Sequence, residues 1–166
     1  MNFDTALPRM GRSPRPGTVH RRRPGAYAVL LRGGSVLLTR QVASAIDELQ
    51  LPGGGIDAGE APLPALVREI REETGHGARI LRRIGGFREF TWMSEYGFHA
   101  EKICHVYLGQ PGLRLGPPSE AGHAAVWLPL AQAAEAVASA AAAQILRRVG
   151  AAQTAARPRR TSAGRA

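Results

Sequence analysis

Glu69, Glu72 and Glu73 fall at i, i+3 and i+4. On a helix this spacing sets three carboxylates side by side on one face. Like charges so placed repel, and each neighbouring pair costs roughly a few tenths of a kcal/mol even when exposed. A cation lodged among them removes that cost, and hard carboxylate oxygens suit Mg²⁺ or Mn²⁺. Arg68, four residues before Glu72, can hold a carboxylate in place through a charge-assisted hydrogen bond. Upstream, Pro52-Gly53-Gly54-Gly55 forces a turn whose glycines let backbone approach a metal or a phosphate closely. Glu60 lies on the loop that returns over the helix and can join the cluster. A Glu-rich helix face taken alone is most often simply solvated. The fixed distance between these glycines and the carboxylates sets this one apart.

The elements that must position this group can be read from pattern. Ala26–Arg32 and Ser35–Gln41 are apolar runs around Gly33-Gly34, which predicts a β-hairpin. Val42–Glu48 reads as a loop. Pro62 and Pro64 suit the first turn of a helix, and Leu63, Leu66, Val67 and Ile70 give it an apolar stripe. Gly75 is its expected C-cap. Gly77–Met93 reads as a long strand or two short ones broken near Gly85-Gly86. Ser94–Gly97 is a turn and Ala100–Leu108 a strand. Gly109–Gly122 reads as a loop with three prolines, His123–Leu128 as a short strand ending at Pro129, and Leu130–Val149 as one amphipathic helix. The order β-β-α-β-β-β-α predicts an α/β chain with a sheet packed between helices.

Charge and composition narrow the function. The chain has 166 residues and a net charge of +9, which by itself suggests a polyanion partner. The charge is not spread evenly. Residues 1–25 carry +5, residues 147–166 carry +6, and residues 26–146 carry −2. The basicity therefore belongs to the ends. This argues against nucleic acid as the main partner and leaves only weak polyanion binding by the arginines open. Of the 22 basic residues, 21 are arginine and one is Lys102. Four prolines, three glycines and few apolar residues make 1–25 a disordered Arg/Pro-rich tail by composition, and 150–166 reads as a second, basic tail. The prolines of the first segment spoil the amphipathic helix of a transit peptide, and it has no apolar core for secretion. No apolar stretch is long enough for a membrane span. A cytoplasmic location is expected. The single cysteine rules out an intrachain disulfide.

From Gly54 to His76 the residues resemble the box of the Nudix hydrolases, G-x5-E-x7-R-E-U-x-E-E-x-G-U, with U a bulky aliphatic. Gly54, Glu60, Arg68, Glu69, Ile70, Glu72, Glu73 and Gly75 fit in register, and His76 replaces the last aliphatic. That position is a packing site, so a modest packing effect is expected there and no loss of chemistry. The resemblance extends over about residues 26–149. It implies a Nudix-type α/β/α sandwich with a mixed sheet. It also implies hydrolysis of a pyrophosphate bond in a nucleoside diphosphate linked to another moiety, with a nucleotide monophosphate and a phosphorylated product released. By the same resemblance Glu69, Glu72 and Glu73 are the catalytic, metal-binding carboxylates, and Glu69 in the alternative orients or deprotonates the water. Glu60 is a metal or outer-sphere candidate, the Gly53 carbonyl an extra ligand, and Arg68 the residue that orients a glutamate. The family often recruits a further downstream carboxylate. Glu120, just before the strand ending in Trp127, is the first choice, with Glu95 and Glu101 as rivals. The substrate expected is a small nucleotide. The rival reading is a non-catalytic Nudix-like domain that binds nucleotide or RNA, against which the complete carboxylate set speaks.

Substrate identity is set outside the box. ADP-sugar hydrolases of the family tend to place a proline soon after it, and none occurs here between Gly75 and Pro111. Leu37-Leu38-Thr39-Arg40 lacks the spacer of the coenzyme A subgroup motif. Six of the nine aromatic residues lie between Phe87 and Tyr107. Sheet packing accounts for most of them, and Tyr96 and Phe98, near a hairpin tip, are the better substrate-binding candidates. The five histidines form no metal pair at helical spacing. Cys104 sits in an apolar strand and is expected to be a buried packing thiol.

Overall fold

The computed structural model describes residues 6–43, 46–94 and 96–156. In chain order the elements are β1 (Arg21–Arg32), β2 (Ser35–Ala43), β3 (Ile46–Gln50), β4 (Gly53–Gly55), α1 (Pro62–Thr74), β5 (His76–Met93), β6 (Phe98–Arg114), β7 (His123–Pro129), α2 (Leu130–Ala136) and α3 (Ala140–Ala156). The strands form one mixed sheet in the order β3-β2-β1-β6-β5, with β4 paired to β1 and β7 to β2. Only β1 and β6 run parallel; the other pairings are antiparallel.

Strand alternation in β1 divides the core in two. Ala26, Ala28 and Leu30 point to one face, where they meet Leu66 and Ile70 of α1. Val29, with Tyr27 and Leu31 beside it, points to the other, against Leu130, Ala133, Ala142 and Leu146 of α2 and α3. The result is the α/β/α sandwich with a mixed sheet that the resemblance implied.

Helix α1 begins at Pro62 and ends where Gly75 takes φ 71°, its N–H bonded to the Arg71 carbonyl at 2.8 Å. Its buried stripe differs from the expected one. Ala65, Leu66, Ile70, Glu73 and Thr74 face inward, whereas Leu63 and Val67 are exposed. Placing Leu66 and Ile70 on the sheet turns Glu69 and Glu73 toward it as well and leaves the flank of Leu63 and Val67 in water.

Other expectations are also corrected. The tail predicted for residues 1–25 is partly ordered. Strand β1 starts at Arg21 and pairs with β6 from there. Residues 7–10 lie along β5, where the Met10 N–H donates to Arg88 O and the Arg88 N–H to Pro8 O, each at 2.9 Å. Edge strand β5 offers unpaired backbone groups, and Met10 packs against the core while Leu7 lies beside Gly86. At the other end α3 continues to Ala156, past the predicted boundary at 150, and residues 157–166 lie outside the described part. The loop expected at 42–48 is mostly strand, since β2 and β3 pair from Thr39 to Gln50. Strand β6 runs on to Arg114, into the predicted loop. Of the two readings for 77–93 the single long strand holds, with register shifts at His76/Ala78, Ile80/Arg82 and Arg83/Gly85 and no break near Gly85-Gly86. The single helix predicted after Pro129 is two. Val137 is extended, the Ala138 N–H donates to Leu49 O at 3.0 Å, and the Ser139 hydroxyl accepts the Ala142 N–H at 3.3 Å as the cap of α3.

Candidate active site

The carboxylates of α1 are held from three directions. Arg68 uses its Nε and Nη2 for Glu60, at 3.1 and 3.0 Å, and its Nη1 for Glu69 at 2.8 Å and Glu72 at 3.0 Å. One guanidinium therefore fixes three carboxylates of the box. The Gly53 N–H donates to Glu73 Oε2 at 2.9 Å. Gly53 has φ 135°, and a side chain there would run into the Ala26 carbonyl, so only glycine brings this N–H to the carboxylate. A Cβ on Gly54 would stand 2.5 Å from Glu69 Oε2, so the second glycine of the turn leaves room for that carboxylate.

Glu120 arrives from the far side of the sequence. The carbonyl of Glu72 accepts the Ser119 and Glu120 N–H groups at 2.8 and 3.0 Å, which ties the loop before β7 to the end of α1. Carboxylate oxygens of Glu69, Glu72 and Glu120 then lie within 4.8 Å of one another, and Glu73, Glu120 and His123 form a second such group. His123 is almost wholly buried. Its Nδ1 shares a 2.9 Å hydrogen bond with the Thr39 hydroxyl and lies 3.6 Å from Glu73 Oε1, while its Nε2 lies 3.7 Å from Glu120 Oε1.

Burial dominates the electrostatics. Glu73 is pushed up to about 9 by desolvation, with Glu120, Glu69 and Glu72 adding to the rise and the Gly53 N–H opposing it. Desolvation also raises Glu69, against the pull of Arg68. Two close-set groups sharing Glu120, one reaching the buried Glu73 and the other the half-exposed Glu72, are an arrangement that a divalent cation stabilises.

A cavity of about 240 Å³ opens beside the cluster. Glu69, Glu73, Glu120 and His123 form its acidic end, and Arg23, Tyr96 and Lys102 line it elsewhere. Tyr96 is therefore at the site, with the Arg23 guanidinium 4.8 Å from its ring centre. Phe98 is not in the cavity wall; Arg21 stacks over its ring at 4.8 Å, one step further out. Glu60 stays with Arg68, outside both close-set groups. The Glu120 rival Glu101 is paired with Arg88 at 3.1 Å and Arg22 at 3.8 Å, and it alternates away from Lys102 onto the other face of β6. Glu95 lies outside the described residues. His76 is buried, with its ring edge-on to Trp127 at 5.8 Å, so it fills the aliphatic packing position. Cys104 is buried as expected, and desolvation pushes its thiol up to about 12.

Sequence reasoning missed His123, Thr39 and Lys102. The signal for His123 is its place three residues after Glu120, a carboxylate–imidazole pair and not a pair of histidines.

The NUDIX domain model matches residues 21–149. The chain belongs to the NUDIX family. That match starts at Arg21, the first residue of β1, in agreement with the strand and not with the compositional boundary at Ala26. Among NUDIX relatives, the ADP-ribose pyrophosphatase of Bacillus subtilis is 32% identical over 111 residues, covering 64% of this chain and 55% of that protein. An RNA pyrophosphohydrolase of Cereibacter sphaeroides is 38% identical over 66 residues, covering 40% of this chain and 41% of that protein. The chain thus spans about half the length of these curated relatives. A NUDIX hydrolase structure from Nitrosomonas europaea superposes with a TM-score of 0.65 at 19% identity, covering 80% of this chain and 90% of that one, which shows the shared fold. No helix among the described residues is long and apolar enough to cross a membrane.

Proposed function

We propose that the chain is a pyrophosphohydrolase that cleaves a pyrophosphate bond in a nucleoside diphosphate linked to another moiety, using Mg²⁺ or Mn²⁺. The observation that carries this reading is the convergence of Glu69, Glu72, Glu73 and Glu120, of which Glu69, Glu73 and Glu120 border one cavity, with Arg68 and the Gly53 N–H holding the three carboxylates of α1 in place. The donor set fits the metal: carboxylate oxygens, closely spaced, with one imidazole beside them. Glu69, Glu72, Glu73 and Glu120 would hold it. When bound, a divalent ion neutralises phosphate oxygens, activates water and stabilises the leaving phosphate.

The chain's own groups have separable tasks. Arg68 fixes the directions of Glu69 and Glu72, so neither must be ordered as substrate binds. Glu69, which borders the cavity with Glu73 and Glu120, would hold the metal or, in the alternative, orient or deprotonate a water. The Gly53 N–H keeps Glu73 in place. His123, locked by Thr39, sets the spacing between Glu73 and Glu120. Tyr96, half exposed at the rim, offers a ring face to the substrate.

Relatives named for ADP-ribose and for RNA stand side by side, so the substrate is best sought broadly. The test is a screen of the purified chain against nucleoside triphosphates, dinucleoside polyphosphates, nucleotide sugars, coenzyme A and 5′-triphosphorylated RNA, with and without Mg²⁺. Metal-dependent release of a nucleoside monophosphate is the expected result. Tight nucleotide binding without turnover of any of these would favour the binding-only reading instead.

A further inference from the structure

Adjoining the acidic cavity lies a second one of about 510 Å³, bounded by Gly11 and Arg12, by β1, β3, β5 and β6, and by the start of α3. Tyr27, Gln50 and Lys102 line both cavities and so form the waist between them. The larger cavity has Phe87 and Phe90 in its wall, with the polar groups of Glu48, Glu89 and Ser139. It thus has the size and the mixed apolar and hydrogen-bonding lining of a small-molecule site.

Lys102 is the lone lysine of a chain whose other 21 basic residues are arginine. It is half-buried, and its Nζ lies 5.3 Å from the centre of the Tyr27 ring. Among the described residues no ion pair engages it. The two groups differ in shape. An ammonium is a compact point charge that fits a narrow waist, whereas a planar guanidinium needs room for its fork. The charge is also well placed. A phosphate at the waist would have the carboxylate cluster on one side and the larger cavity on the other, and Lys102 supplies positive charge there without a metal.

We propose that Lys102 binds the phosphate adjoining the nucleoside, with the nucleoside seated in the 510 Å³ cavity and the second moiety directed out past Arg23 and Tyr96. This rests on the pyrophosphohydrolase reading and adds the polarity of the substrate in the site. Lys102 is here a substrate-binding residue, and the outward path explains how varied second moieties would be accommodated.

The test is calorimetric binding of the four common ribonucleoside monophosphates and their parent nucleosides to the full chain and to K102M. A monophosphate is not cleaved, so binding is read free of turnover. The wild-type chain is expected to bind at least one monophosphate tenfold or more tighter than its nucleoside. K102M removes that advantage and leaves nucleoside binding within a factor of three. K102Q repeats the measurement with an uncharged polar side chain, and thermal melting establishes that each variant is folded. Unchanged monophosphate affinity in a folded variant overturns the proposal. An equal loss for nucleoside and monophosphate also overturns it, since Lys102 would then only shape the cavity wall. If the wild-type chain hydrolyses a screened nucleotide yet binds no monophosphate, this proposal alone falls. If it hydrolyses none, the reading beneath it falls.

Discussion

Helix α1 and helix α3 cover opposite faces of the same sheet and do so in different ways. Helix α3 buries Ala141, Ala142, Ala143, Ile145 and Leu146, all apolar. Helix α1 buries Leu66 and Ile70 but also carries Glu73 inward, 5% exposed, next to the largely covered Glu69. Burying a carboxylate without a counter-charge is unfavourable by several kcal/mol in general. The α1 side offsets part of this with Arg68 on Glu69 and the Gly53 N–H on Glu73, while the tethered Glu120 adds to the repulsion. The α3 face is built for packing, while the α1 face gives up packing to hold charges in fixed positions. Substitutions on the two faces should therefore fail in different ways.

The largest effect is expected on the α1 face. In G54A the new methyl displaces the Glu69 carboxylate, and turnover should fall by about 100-fold or more while melting changes little. Steady-state kinetics beside a thermal melt checks this. A variant with full turnover would mean that the position of Glu69 is not critical. On the α3 face, L146A removes a fully buried side chain and should cost roughly 2–5 kcal/mol of stability in denaturant unfolding. Its kcat per folded molecule should stay at the wild-type value; a parallel loss of kcat would blur the distinction between the faces. S139A deletes the cap of α3 and should cost about 1 kcal/mol by the same unfolding measurement. The smallest effect concerns Cys104. Burial pushes its thiol up to about 12, so almost no thiolate exists at pH 8, and iodoacetamide should leave the native chain unmodified. The unfolded chain, with an ordinary thiol, should react under the same conditions.

The two faces were also unequally legible in the sequence. Helix α1 and its carboxylates could be read because their signals are local: Pro62 at the start, Gly75 at the end, and fixed intervals from Gly54 to Glu73. Glu120 could be named by resemblance, but its tether to Glu72 O exists only in the folded chain. Thr39 and His123 are 84 residues apart in sequence, and no short-range pattern connects them. Lys102 stood out only as an oddity of composition until two cavities were seen to meet at it. On the other face, the long alanine run hid the break between α2 and α3, although Ser139 was a usable cap signal. Docking of residues 7–10 is not legible in the sequence because it depends on the backbone of edge strand β5 and on where the few apolar side chains, Leu7 and Met10, land in the folded chain.

The central claim is that the buried and half-exposed carboxylates of α1 are the reactive centre of a metal-dependent pyrophosphohydrolase. The most direct test is Mg²⁺-dependent turnover of the best screened substrate by wild type, E72Q and E73Q, each established as folded. Glutamine keeps the shape and an acceptor oxygen for the Gly53 N–H but cannot become an anionic ligand to a cation. The account predicts a loss of about two orders of magnitude or more in kcat for each variant with the melting temperature preserved. Wild-type turnover in folded E72Q and E73Q would contradict it.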